Sequence, residues 1–133
     1  MDYSQLSDFE INKLVAYALG NADVGRPFDE ISGTACQFTV FKNAGLNREG
    51  ELVMQPMLIT KDFCNNWSDA GPIIVDSEIS LNSYSGTWEA SYEYDAPIGA
   101  FGTDELVTKA VEGKNPLRTA MIAFLMKREH SNA

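Results

Sequence analysis

TWEASYEY (residues 87–94) places Trp88, Ala90, Tyr92 and Tyr94 on one side of an extended chain and Glu89, Ser91 and Glu93 on the other. That two-residue alternation marks a strand with one face on a core and one in water. SYSG (residues 83–86) supplies turn chemistry just before it, so an antiparallel hairpin between about 79–82 and 87–93 follows. Working back, CQFTVFK (residues 36–42) has the β-branched and aromatic content of a strand, and LVMQPMLIT (residues 52–60) reads as a second one. Pro56 makes that second strand an edge or a broken one, because proline donates nothing to a ladder. NAGLNREGE (residues 43–51) is a polar turn between them. Residues 21–34, with Gly25, Pro27 and Gly33, and DAPIGAFG (residues 95–102) read as loops.

Helical signals flank this strand-rich centre. Ser7 and Glu10 form an S-x-x-E capping box, Leu6 and Ile11 suit a hydrophobic staple, and Ile11, Leu14, Val15 and Ala18 recur at helical spacing. Gly20 is a natural stop, so a helix spans about residues 8–19. Near the other end, Thr103 caps a short predicted helix over 104–112, with Asp104 and Glu105 complementing its dipole and Gly113 ending it. Asn115 then caps a last helix with Pro116 at its first position and Leu117, Ala120, Met121, Phe124 and Leu125 as its core stripe. Strands in the middle and helices at both ends predict an α+β fold: a small antiparallel sheet packed by N- and C-terminal helices, in a single domain over residues 1–133.

The 133 residues are 44% hydrophobic and 22% charged, the composition of an ordinary soluble domain. Nineteen acids against ten basic residues give a formal charge of -9, which opposes general nucleic-acid binding and docking on anionic lipid. The acids are scattered, so their plainest use is solubility, and their sharper use an acidic face for a basic partner. Cys36 and Cys64 form no CxxC pair and His130 is the sole histidine, which predicts no metal site. The start, MDYSQLSDFE, lacks the basic and apolar regions of a signal peptide, and no apolar run is long enough to span a bilayer. The expected location is therefore the cytoplasm, with both thiols reduced.

Signatures of enzymes are missing: no GxGxxG, P-loop, GxSxG or HExxH occurs. His130 stands near the end of the last helix, so no Ser-His-Asp or Cys-His site is expected. A carboxylate pair doing general acid–base work stays open as the alternative, with no spacing that selects one. No catalytic residue and no cofactor is assigned.

The densest polar signal is CNNWSDAGPII (residues 64–74), read as a loop turning through Gly71-Pro72 into an apolar strand. Asn65, Asn66, Ser68 and Asp69 surround Trp67, an arrangement that serves either a binding loop or a structured turn with tryptophan in the core. Arg118, in the first turn of the last helix, offers a cation beside free N–H groups. The candidate binding site is Asn65, Asn66, Trp67, Ser68, Asp69 and Arg118. The aromatic set Trp88, Tyr92 and Tyr94 reads as core or oligomer interface, and the two helices around Gly113 as too acidic for a DNA-binding helix-turn-helix.

LSDFEINKLVAYALG (residues 6–20), CNNWSDAGPII (residues 64–74), WEA (residues 88–90) and NPLRTAMIAFLMKRE (residues 115–129) resemble, in order and rough spacing, the NinX family of lambdoid and related tailed phages. The resemblance implies a phage or prophage source, the cytoplasm of a bacterial host, and a small accessory role near replication and recombination functions. It carries over no catalytic residues. The function it suggests is binding: a counter-defence or host-takeover factor that neutralises a host protein or sequesters a small anionic, nucleotide-like ligand. A homodimer or larger homo-oligomer is the expected assembly.

Overall fold

Asn115 does what its position predicts: its side-chain oxygen accepts from the N–H groups of Leu117 and Arg118 at 3.0 and 3.2 Å. The helix it opens, α3 (Pro116–Ser131), is the axis of the molecule. Leu117 and the whole run from Thr119 to Leu125 are buried, more than the expected single stripe. A helix apolar all round must be enclosed on all sides, and the other elements enclose it.

The computed structural model describes residues 2–20, 29–31, 34–96 and 104–131. The elements before α3 are α1 (Asp8–Ala18), β1 (Asp29–Ile31), β2 (Ala35–Leu46), β3 (Leu52–Lys61), α2 (Trp67–Asp76), β4 (Ser80–Tyr84), β5 (Thr87–Ala96) and β6 (Glu105–Gly113). They form two three-stranded antiparallel sheets, ordered β1-β2-β3 and β4-β5-β6. The fold is α+β, with α1 and α3 flanking the strand-rich centre. No described helix is long and apolar enough to cross a membrane.

Several local expectations hold. α1 starts where Ser7 accepts the N–H of Glu10 at 3.2 Å, and it buries Ile11, Val15 and Ala16. The β4–β5 hairpin turns at Ser85 and Gly86, both at positive φ (45° and 89°), as a tight two-residue hairpin requires. Pro56 lies in β3, an edge strand. Tyr92 packs in the core at 1% exposure, and Trp88 and Tyr94 share its face.

Two expectations fail. The turn expected at Gly71-Pro72 and the apolar strand after it are instead α2, which runs through both residues. Asn66 caps this helix by accepting the N–H of Ser68 at 2.8 Å, and Ala70 and Ile73 bury its inner side. A cap and an apolar stripe outweigh the one hydrogen bond that Pro72 forgoes. The helix expected over 104–112 is instead β6, paired with β5 from Trp88↔Gly113 to Ala96↔Glu105. Here pairing to an open strand edge overrides local capping signals; Thr103 lies outside the described residues. Strand also extends into the expected loops at 29–31, 43–46 and 95–96, while 21–28, 32–33 and 97–102 fall outside the described residues. With β6 a strand, the pair of helices around Gly113 disappears. Gly113 instead lets the end of β6 press on α3, since a Cβ there would stand 2.4 Å from Thr119 Oγ1.

Both cysteines are free and buried. Burial pushes the Cys36 thiol up to about 11 and raises that of Cys64 further, so neither is a ready nucleophile. Native protein should therefore resist thiol-modifying reagents until it is unfolded. Met121→Ala, at a fully buried position, should cost about 2–5 kcal/mol in denaturant unfolding. Leu106→Ala, on 65% exposed Leu106 of β6, should change stability by no more than about 0.5 kcal/mol; a large loss there would contradict β6 as an exposed edge strand.

Candidate functional site

Asn12 is fully buried on the inner side of α1, where an apolar residue would ordinarily stand. Its amide donates to the Thr34 carbonyl at 2.7 Å and to Asp62 Oδ1 at 2.9 Å, and its oxygen accepts the Cys64 N–H at 3.0 Å. A buried amide without such partners would cost free energy; with them it ties three segments together. Thr34 Oγ1 donates to the other Asp62 oxygen at 2.8 Å. The segment 62–66, between β3 and α2, is thus fixed from below.

The predicted site residues lie on top of this knot. Asn65 donates to Asp62 at 3.2 Å and to Asp8 Oδ2 at 3.2 Å, and accepts from Asn115 at 3.0 Å. Arg118 donates to Asp8 Oδ1 at 2.7 Å and to the Leu6 carbonyl at 2.6 Å. The loop and Arg118 therefore meet through Asp8, a residue sequence reading did not select. Asp69 accepts the Asp62 N–H at 2.9 Å and pairs with Lys61 at 3.3 Å. Asn66 serves as the α2 cap, and Ser68 is exposed beside it. Asn12, Asp62 and Asn115 complete the network. The one sequence signal for Asn12 is an amide set among the apolar residues of α1.

This wiring decides what the site can do. Arg118 is already held by a carboxylate and backbone carbonyls. Asp8, Asp62 and Asp69 outnumber Arg118 and Lys61, so an incoming anion meets a locally acidic surface. Among the described residues no group of three His, Cys, Asp or Glu is placed to hold a metal ion. His130, whose ring stacks on Tyr94 at 3.9 Å, is part of the packing at the far end of α3.

Trp67 resolves the choice between core and surface: it is 58% exposed, at the first position of α2. Gly71 and Val75 follow at four-residue intervals, Val75 being 75% exposed, so one slowly turning side of α2 is apolar and outward. Beside it lies a cleft of about 270 Å³ lined by Leu19, Phe63, Pro72 and Phe124 together with Lys61, Asp69 and Asp76. The arrangement is a ridge and a cleft with charged edges, held by a rigid polar base.

If the base is the anchor, Asn12→Ala should cost roughly 2–4 kcal/mol in equilibrium unfolding, because it strands buried polar groups. Exposed Asn65→Ala should cost about 1 kcal/mol or less. Equal costs at the two positions would contradict the distinction.

The family model described as Bacteriophage P22, NinX matches the chain over residues 2–128. No curated protein and no solved structure matches it. The match runs from the turn before α1 almost to the end of α3, taking in both sheets and the whole polar network. By that coverage, the chain belongs to the NinX family of phage accessory proteins.

Proposed function

We propose that this phage protein acts by binding, and that its target is a host protein engaged through the outward side of α2. The observation that carries the reading is the exposure of Trp67 on a helix capped by Asn66 and anchored through Asn65 and Asp69. Tryptophan held rigid and open to water is costly to leave uncovered, and it is the residue most enriched among interface hot spots. Asp76 and the Lys61–Asp69 pair edge the adjacent cleft, a net acidic rim, so the fitting partner offers an apolar patch with a basic group beside it. Such a partner suits a nucleic-acid-handling host protein, met in the host cytoplasm, and a role in counter-defence or host takeover. Binding of a small anionic ligand draws less support, since the guanidinium that would hold it is engaged with Asp8. Carboxylate catalysis draws less still, since Asp62 and Asp69 accept hydrogen bonds from the protein's own groups.

The test compares wild type with Trp67→Ala and Val75→Glu in quantitative affinity capture from host lysate, each variant first shown to retain its circular dichroism and unfolding midpoint. A partner held by wild type should fall at least about tenfold in affinity with Trp67→Ala, a loss of about 1.4 kcal/mol or more. Raised salt should weaken it further. Retention of the same partner at full affinity by both variants would remove α2 from the site. Release of an intact nucleotide on denaturing the purified protein, at one per chain, would favour the small-ligand reading instead.

A further inference from the structure

β4 is shorter than the strand it pairs with. Its ladder on β5 ends at Ser80↔Ser91, whereas β5 runs on to Ala96, paired with β6 as far as Ala96↔Glu105. Among the described residues, Glu93 to Ala96 thus have a partner strand on one side only. On the other side alternate N–H and C=O groups are left open, the condition in which an extended chain adds to a sheet. The chain leading into β4 does not supply that partner. Ile79 and Glu78 donate their N–H groups to the carbonyls of Ile74 and Val75 at 3.0 and 3.2 Å, which closes the end of α2. A cavity of about 350 Å³ lies where β4 stops, with Glu78, Ser80, Ser91, Glu93 and Thr108 among its walls.

Charge selects what fits there. Glu93 and Asp95 share the outer face of the free stretch, and Glu78 stands at its near end. All three are exposed, and among the described residues none is held by an ion pair. Lys127 lines the same cavity but donates to the Ser77 carbonyl at 2.7 Å, and Lys109, opposite Tyr92, lies on the other face of the sheet. The carboxylates are therefore in excess. Glu78 is also left-handed, at φ 54°, in the position after a helix where glycine is usual. Glycine would suit the fold better at that point and would remove one carboxylate from the cavity. A second copy, with its formal charge of -9, is repelled from this edge, whereas a basic segment is attracted to it.

We infer that the free edge of β5 takes an extended peptide segment with basic residues two apart. Its backbone pairs with Glu93–Ala96, and its lysine or arginine side chains lie across from Glu93 and Asp95, the first also reaching Glu78 over the cavity. Main-chain bonds supply the register and the carboxylates supply the selection. The site is independent of the reading of Trp67, which stands at the opposite end of α2.

The experiment is a titration of the isotope-labelled full chain, followed by amide NMR, with a blocked pentapeptide carrying arginine at its second and fourth residues. Binding should saturate with a dissociation constant below about 1 mM at low salt. Shifts should gather at residues 78–80, 91–96 and 106–108. Citrulline in place of both arginines removes the charge at nearly equal size and should weaken binding at least about tenfold. N-methylation of the third and fourth peptide residues, one of whose N–H groups must face β5, should weaken it by about as much. Glu93→Gln should raise the dissociation constant at least about fivefold. Glu78→Gly should weaken binding too, while raising the midpoint of denaturant unfolding. Trp67→Ala should bind as wild type does. Each of the following would overturn the inference: no binding of the arginine peptide at about 1 mM, equal binding of the citrulline or the N-methylated peptide, unchanged affinity in both Glu93→Gln and Glu78→Gly, or shifts confined to α2 and lost in Trp67→Ala.

Discussion

The side chain of Asn12 is the constraint on which the rest depends. Its three hydrogen bonds join α1 to Thr34, just before β2, and to Asp62 and Cys64, just after β3. The hairpin that leaves the body at Thr34 and returns at Asp62 is thereby closed at its root by one amide. Because the amide is fully buried, breaking any one of these bonds leaves a polar group without water to replace its partner. The same point fixes Asp62, which receives Asn65 from above. Asn65 in turn reaches Asp8 and Asn115, so the starts of α1 and α3 are joined to the segment that opens α2.

Around this knot the molecule encloses α3. Tyr3 donates to Glu129 and Arg118 to the Leu6 carbonyl, so the turn before α1 is pinned near both ends of α3. Lys127 donates to the Ser77 carbonyl at 2.7 Å, closing the end of α2 onto the same helix. β5 and β6 cover another side, with Gly113 allowing backbone to meet Thr119. Arg118 illustrates the division of labour. A helix start suits an anion, but here the charge of Arg118 is used to hold Asp8 and the Leu6 carbonyl.

What the sequence made legible was whatever local chemistry determines. Ser7 and Asn115 name their helices because a cap satisfies N–H groups two or three residues away. TWEASYEY names β5 because one face is core and one is solvent. α2 was hidden by Gly71-Pro72, whose turn preference yielded to the Asn66 cap and to burial of Ala70 and Ile73. β6 was hidden because its residues carry helix-like capping signals, and what overrides them is the β5 edge, remote in sequence. The site followed the same division. Asn65, Asn66, Trp67, Ser68 and Asp69 stood out as a dense local cluster. The links of Asn65 to Asp8 and Asn115, and of neighbouring Cys64 to Asn12, cross 50 residues or more of chain and leave no local pattern. The resulting surface carries an apolar ridge on α2 beside a cleft edged by Lys61, Asp69 and Asp76.

The central claim is that α2 presents Trp67 to a partner. It is tested most directly by placing a photoreactive amino acid at position 67, expressing the protein in host cells and irradiating them. Position 46, exposed at the end of β2, serves as the control. The account predicts one discrete adduct with a host protein from position 67 and none from 46. No adduct from position 67, or the same adduct from both positions, would contradict it.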